Sequence, residues 1–330
     1  MVGLMLVVSV SMGAALLWWA YSPLRLPAGS SSVDLSIEPG TRPAVIAQAV
    51  ADAGVQVQPQ LLWWWFRLSG QARNLRAGGY EIPAGTTPMK LTRMLARGEE
   101  SLRTLSLIEG WSWRQVRQAL ARTADLKHDS QDLSDEALMQ ALGRPNVHPE
   151  GQFYPDTYSY AKGSSELALL RRAMHAMDKH LAAAWAARTA AASVQTPEQA
   201  LILASIIEKE TGRPQDRAMI SSVFNNRLRI SMRLQTDPSV IYGLGSAFDG
   251  NLRKADLLAD TPYNTYTRAG LPPTPIAMPG KAALWAAVQP ADSNALYFVA
   301  RGDGTSAFSA SLDEHNRAVN RYQRGLKASD

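Results

Sequence analysis

The segment TPEQALILASIIEKETG, residues 196 to 212, constrains the fold of this chain more than any other. Thr196 stands where a helix N-cap would, with Pro197 at the first helical position and Gln199 at the third, a capping box, and Gly212 is placed to end the helix. Between those limits Ala200 to Ile207 is apolar almost all the way round. A helix without a polar face has to be covered on every side, so the chain must wrap other elements around it. Glu208 ends the apolar run. It shares a face with Ala204 and Leu201, while Glu210 lies about 200° further round the helix. A carboxylate set against apolar walls has its charged form disfavoured, which raises its pKa toward the range of a general acid. Glutamates in the last turn of a helix are also commonly solvated, and the helix alone does not separate the two readings.

Composition removes whole classes of chemistry. The chain has no cysteine, which excludes thiol nucleophiles, zinc fingers, iron–sulfur clusters and lipidation on sulfur. Its 330 residues, 46% hydrophobic and 19% charged, suffice for two or three domains with real cores. The net charge of +5 is mild and no block of five Lys or Arg occurs, so no nucleic-acid partner is expected. A weakly basic surface suits an acidic polymer or a membrane. His175 and His180 are about 140° apart on a helix and make no metal pair, and no His-Glu-x-x-His, Gly-x-Ser-x-Gly or phosphate loop is present. Gly243-Leu244-Gly245 lacks the third glycine of a dinucleotide fingerprint, and Arg301-Gly302-Asp303 reads as a turn. Neither a metal nor an organic cofactor is expected.

Val2 to Tyr21 is apolar apart from two serines, and as a helix it would span roughly 30 Å, one hydrocarbon core. A cleaved signal peptide would carry a basic leader and a small-residue cleavage site; this run ends in Trp18, Trp19 and Tyr21, suited to a membrane interface, before Ser22-Pro23. It therefore reads as a retained anchor over residues 1–22, followed by a linker over 23–32. Arg25 is the nearest flanking charge, so the positive-inside rule gives no orientation for an external domain.

A pattern of short apolar strand, Gly-containing turn with a hydroxyl residue, and amphipathic helix then occurs three times, at 33–54, 80–99 and 105–124. It predicts small α/β modules over 33–145. The polar stretch Asp125 to Asn146 marks a boundary, and a mixed α/β catalytic domain built round the buried helix is expected over 146–330, for an α+β fold overall. Between the first two copies, Trp63, Trp64 and Trp65 are adjacent, and at about 100° per residue they cannot all face one core. Packing between modules, sugar stacking and membrane contact are all open to them.

Loops rich in Tyr, Asn, Gln and Thr follow the buried helix, at 232–245, 261–280 and 297–304. Aromatic rings for sugar faces and amides for hydroxyls, beside a buried carboxylate, are what a carbohydrate cleft needs, although the proline-rich 271–279 also reads as a rigid connector. Taken in order, Glu-Gly-x-Ser/Trp in the repeated module, Glu150-Gly151 with Pro155-Asp156-Thr157-Tyr158, Ala204 to Thr211, Asn226-Arg227-Leu228, Leu234 to Pro238, Tyr263 to Tyr266, and Gly270-Leu271-Pro272-Pro273 through Pro279-Gly280 resemble the endolytic murein transglycosylase family (MltG/YceG-like).

The resemblance implies LysM-like modules ahead of the catalytic domain, an inner-membrane anchor with the enzyme in the periplasm, and Glu208 as catalytic residue, which the helix face selects independently. It implies cleavage of the bond between N-acetylmuramic acid and N-acetylglucosamine within nascent peptidoglycan strands, with 1,6-anhydro ring formation, beside penicillin-binding synthases. A lytic transglycosylase manages with one carboxylate because its nucleophile is the substrate's own 6-hydroxyl. Gln235, Asp237, Tyr263, Asn264 and Tyr266 are candidates for gripping the glycan, with Asp237 equally suited to capping the Pro238 turn. A hydrolytic muramidase or glucosaminidase using Asp237 or Glu150 as second carboxylate is the alternative. A non-catalytic wall-binding scaffold is another. The chain departs from the family near its end, where Thr305-Ser306-Ala307 stands in place of an expected Gly-Gly-His before Phe308.

Overall fold

The computed structural model describes residues 2–99, 102–210 and 213–324, with the side chains of residues 2–10 and 12 left out of the description. The described residues form an α+β chain in the order α1 (Val2–Tyr21), β1 (Ser32–Ile37), α2 (Pro43–Asp52), α3 (Pro59–Leu68), β2 (Gly78–Pro83), α4 (Pro88–Arg97), β3 (Leu102–Ser106), α5 (Trp113–Arg122), α6 (Asp135–Ala141) and β4 (Thr157–Ala161). There follow α7 (Glu166–Ala186), α8 (Pro197–Glu210), α9 (Pro214–Arg229), α10 (Asp237–Leu244), α11 (Lys254–Leu258), α12 (Lys281–Val288), β5 (Tyr297–Ala300), β6 (Ser306–Ser309) and α13 (Leu312–Tyr322). Each sheet is a two-stranded pair: β1 with β2, β3 with β4, and β5 with β6. Two compact units result. One comprises Met1–Leu105, Thr123–His128 and Ser159–Glu166; the other comprises Ser106–Arg122, Asp129–Tyr158 and Leu167–Asp330.

In the first unit β1 and β2 run antiparallel with Val33 opposite Ile82 and Leu35 opposite Tyr80. Val33, Leu35 and Ile37 are buried while Asp34 and Ser36 are exposed, the period of two expected of a sheet with one covered face. Ile46 and Val50 of α2, Leu62 and Phe66 of α3, and Leu91 and Leu95 of α4 supply the cover. All three strand–turn–helix copies form. Their caps differ: Thr87 accepts the Lys90 amide at 3.2 Å, whereas Thr41 sits one residue too early and bonds Glu38, because Pro43 begins α2 and makes Arg42 the cap. Gly79 is required by packing, since a Cβ there would overlap Ala161. Trp65 is buried, Trp63 partly covered and Trp64 exposed, as their helical spacing demands.

The end of α1 enters this same core through Ala20, and the following residues are bonded to the unit, Leu24 to the Thr86 carbonyl at 2.8 Å and Arg25 to the Gln56 amide at 2.8 Å. Among the described residues no helix is long and apolar enough to cross a membrane. The anchor expected over Val2–Tyr21 falls in large part on residues whose side chains lie outside those described.

The second unit is organised round α8. Residues Ala200, Leu201 and Leu203 to Ile207 are all buried, covered by Ala283, Leu284, Ala287 and Val288 of α12 and by Ile220 and Phe224 of α9. Burying each leucine or isoleucine of this helix contributes about 1.5–3 kcal/mol, which makes α8 a central part of the unit's core. At its start the Gln199 amide donates to Thr196 Oγ1 at 3.2 Å, while Gln199 Oε1 reaches past Thr196 to the Gln195 amide at 2.7 Å. Gly212, the expected end of the helix, lies outside the described residues.

The segment 274–280 threads past α8 and fixes what stands at its end. Ile276 donates its amide to Ser205 Oγ at 2.9 Å, and Met278 exchanges backbone hydrogen bonds with Gly110 and Trp111 at 2.9 and 2.7 Å. Gly151 has φ +78° and leaves no room for a Cβ beside Pro275. Its prolines limit the backbone entropy lost in holding this path.

Candidate active site

Glu208 stands at the C-terminal end of α8, where the apolar surface of the helix runs out. Its side chain is 8% exposed. Oε2 accepts the Gly280 amide at 2.9 Å, and Oε1 has the Arg217 guanidinium 3.9 Å away, too far for a hydrogen bond. Burial pushes its pKa above the usual carboxylate range, and the nearby Glu109 carboxylate pushes the same way. The Gly280 amide, Arg217 and Lys209 pull it down without reversing the direction. The side chain of Lys209 is turned to the Gly110 carbonyl at 3.2 Å.

Glu109 is the functional candidate that the sequence reading missed. It is exposed, on the turn between β3 and α5, and its carboxylate lies so close over Gly280 that a Cβ there would overlap it. Gly110 beside it faces Glu208 Cγ and Lys209 Cδ, with φ +78°. The available signal was a Glu-Gly dipeptide in the third strand–turn–helix copy, matched by Glu150-Gly151. Its position beside Glu208 depends on the long-range pairing of residues 110–111 with 278, which no local pattern shows.

Glu210 belongs to a different setting. Thr236 Oγ1 donates to its Oε2 at 3.4 Å, and burial together with the Asp237 charge lifts its pKa to about 7, against the pull of Thr236 and Arg227. Asp237 is exposed in the first turn of α10 and accepts the Tyr266 hydroxyl at 2.6 Å. Gln235, also exposed, has φ +50°, a conformation that costs a non-glycine residue about 1–3 kcal/mol. It is held there by backbone bonds: its amide to the Thr265 carbonyl, and Arg227 Nη1 to the Leu234 carbonyl at 2.7 Å. Arg227 also gives Nε to Leu296, so the Asn226-Arg227-Leu228 motif ties the 233–235 turn to the start of β5.

The remaining candidates separate. Tyr263 packs edge-on against Tyr242 at 4.8 Å and shares a hydrogen bond with Thr274 at 2.8 Å. Asn264 is buried; its Nδ2 donates to the carbonyls of Asp256, Leu257 and Ala259, and its Oδ1 accepts the Tyr266 amide. That amide is committed to holding the end of α11 and the 264–266 turn, which leaves it nothing to offer a sugar. Glu150 is buried with both oxygens on the Trp113 amide, at 2.9 and 3.0 Å, and burial lifts its pKa to about 7. Near the missing histidine, the Ser306 amide donates to Asp216 of α9 at 3.1 Å. Among the described residues no three His, Asp or Glu side chains are grouped so as to hold a metal ion.

Comparison with known proteins places this geometry in context. A protein named endolytic murein transglycosylase in Bacillus subtilis (strain 168) is 30% identical over 309 residues, covering 88% of this chain and 85% of its own length. A protein of the same name in Streptococcus pneumoniae is 27% identical, over 87% of this chain and 58% of its own length, so the chain spans little more than half of that relative. A crystal structure of a YceG-like protein from Listeria monocytogenes superposes with a TM-score of 0.54 at 30% identity, covering 87% of this chain and 98% of that one. The model of the YceG-like family matches residues 35–321, which include both Glu109 and Glu208, and the chain belongs to that family.

Proposed function

We propose that this chain is an endolytic peptidoglycan lytic transglycosylase in which Glu208 is general acid and then general base. The relatives named endolytic murein transglycosylases support the reaction class. The observation that carries the assignment of Glu208 is its setting: a carboxyl with its pKa raised by burial, one oxygen fixed by the Gly280 amide and the other not hydrogen-bonded to the arginine beside it.

In this reading Oε1 carries the proton of neutral Glu208. It passes to the glycosidic oxygen between N-acetylmuramic acid and N-acetylglucosamine as the bond from that oxygen to muramyl C1 breaks. The muramyl 6-hydroxyl then bonds to C1, its proton returns to the Glu208 carboxylate, and the 1,6-anhydro ring closes with no water consumed. Arg217 stabilises the carboxylate in the interval between the two transfers. Exposed Gln235, with Asp237, Tyr263 and Tyr266, supplies polar and aromatic contacts to the glycan. Cleavage within nascent strands would end their elongation beside penicillin-binding synthases. The apolar sequence of Val2–Tyr21 supports a single-pass anchor in the inner membrane with the enzyme in the periplasm, and the β1–α2–α3–β2 arrangement supports a LysM-like module.

Glu109 favours one second reading. A carboxylate beside the general acid could activate water, which would make the enzyme a muramidase. Digestion of purified peptidoglycan by the full chain, read by mass spectrometry, separates the two. Anhydro-muropeptides are expected; products heavier by one water would establish hydrolysis, and no products at all would reject both.

A further inference from the structure

A cleft in the first unit lies far in sequence from Glu208 and serves no step of the proposed reaction. It has a volume of about 850 Å³ and lies between α3, the 69–76 loop and α4. Four arginines line it, Arg73, Arg76, Arg93 and Arg97, and among the described residues no acidic side chain does. Of the four, Arg97 meets Glu99 at 3.5 Å across an exposed pair. Trp65 also lines the cleft; it is 5% exposed, and its indole N–H is buried without an acceptor among the described residues. Four arginines lining one cavity match a phosphate in charge, and a guanidinium fork is suited to its oxygens.

The surroundings favour one source of phosphate. Trp65 packs edge-on against Trp19 at 6.4 Å, at the end of α1. On α1 Trp18 is 75% and Tyr21 65% exposed; on α3 Trp64 and Leu68 are exposed, and Arg67 lies over the rings of Trp63 and Trp64. Exposed aromatics and arginine at the end of α1 and on α3 are residue types enriched at a membrane interface, the level of the phospholipid headgroups.

We infer that the cleft between α3 and α4 binds a phosphate group, that of an anionic phospholipid headgroup, through Arg73, Arg76 and Arg93. Such a contact would fix the orientation of the first unit on the membrane, beyond what a tether alone provides. The site goes beyond the proposed glycan cleavage; its choice of a lipid phosphate rests on the proposed membrane anchor and not on that reaction.

The test uses the full chain in neutral-detergent micelles, titrated calorimetrically with dihexanoyl phosphatidylglycerol, dihexanoyl phosphatidylcholine, inorganic phosphate and a soluble muropeptide. Saturable binding of the phosphatidylglycerol is expected, with the phosphatidylcholine and inorganic phosphate weaker by about tenfold or more. The Arg73→Gln/Arg76→Gln/Arg93→Gln variant should lose about tenfold in affinity while its thermal transition and peptidoglycan cleavage stay unchanged. Trp65→Phe keeps the packing and removes the N–H, and should weaken binding by a smaller factor. Inorganic phosphate binding as tightly as the lipid, and equally lost in the triple variant, would keep the phosphate site and make free phosphate its ligand. Undiminished phosphatidylglycerol binding by the triple variant, or a muropeptide binding more tightly than either phosphate compound, would overturn the inference.

Discussion

Two carboxylates two residues apart on α8 meet opposite surroundings. Both are raised by burial, yet among the described residues Glu208 has a single backbone donor, an arginine beyond bonding distance and a second carboxylate nearby, whereas Glu210 is set among Thr236, Asp237, Arg227 and Tyr266. The first arrangement leaves an oxygen able to give and take a proton. The second is a wall: Tyr266 closes on Asp237, and Arg227 is consumed by carbonyls. A raised pKa therefore does not by itself identify the reacting group. What distinguishes Glu208 is an incomplete set of partners around a desolvated carboxyl.

The comparison breaks most decisively at Glu208. Glu208→Gln keeps the Gly280 contact and removes the proton, so peptidoglycan cleavage should fall by about a thousandfold or more, measured as muropeptide release by the folded variant. Undiminished release would remove Glu208 from the mechanism.

Arg217 and Glu109 should move the same carboxyl in opposite directions. Arg217 lowers the Glu208 pKa, so Arg217→Met should raise it. Because the first step needs the protonated form, the alkaline limb of the pH–rate profile should shift to higher pH. The rate should still fall by about tenfold, since the carboxylate intermediate loses its counter-charge. Glu109 raises the Glu208 pKa, so Glu109→Gln should move the alkaline limb to lower pH, with a smaller loss of rate, about threefold. A Cβ on Gly280 would displace the Glu109 carboxylate, so Gly280→Ala should reproduce that shift with Glu109 still present. If Glu109→Gln instead abolished activity and the wild-type product carried an added water, Glu109 would be a second catalytic carboxylate.

How far these features were legible follows from the range of the interactions behind them. The limits and burial of α8 rest on contacts within one helix and on its apolar circumference, which the sequence displays at Thr196, Pro197 and Ala200 to Ile207. The strand–turn–helix copies are equally local. Glu109 was not legible, because Gly110, Met278 and Gly280 meet across more than a hundred and fifty residues. Asn264 shows the same limit: an amide in a polar loop looks available, and only the structure shows its Nδ2 bonded to the carbonyls of Asp256, Leu257 and Ala259. The passage of the chain between units at Leu105 and again at Arg122 has no signal in periodicity, since β3 and α5 look like the two copies before them.

The smallest change in activity is expected at Glu210, where the effect belongs to stability. Its folded-state pKa of about 7 lies above the ordinary carboxylate value of 4.5. The folded state then holds the proton more tightly than the unfolded one, so the stabilisation is complete below pH 4.5 and is lost as pH rises toward 7. Glu210→Gln removes the titrating group. Its denaturation midpoint should therefore vary less between pH 5 and 8 than that of the wild type, with a gain on the order of 1–3 kcal/mol at the alkaline end. Muropeptide release should stay within about threefold of the wild type, because the loss is of one hydrogen bond to Thr236 at the edge of the proposed cleft. If Glu210→Gln were the inactive variant and Glu208→Gln the active one, the open and closed faces of α8 would exchange roles, and the wall would be the site.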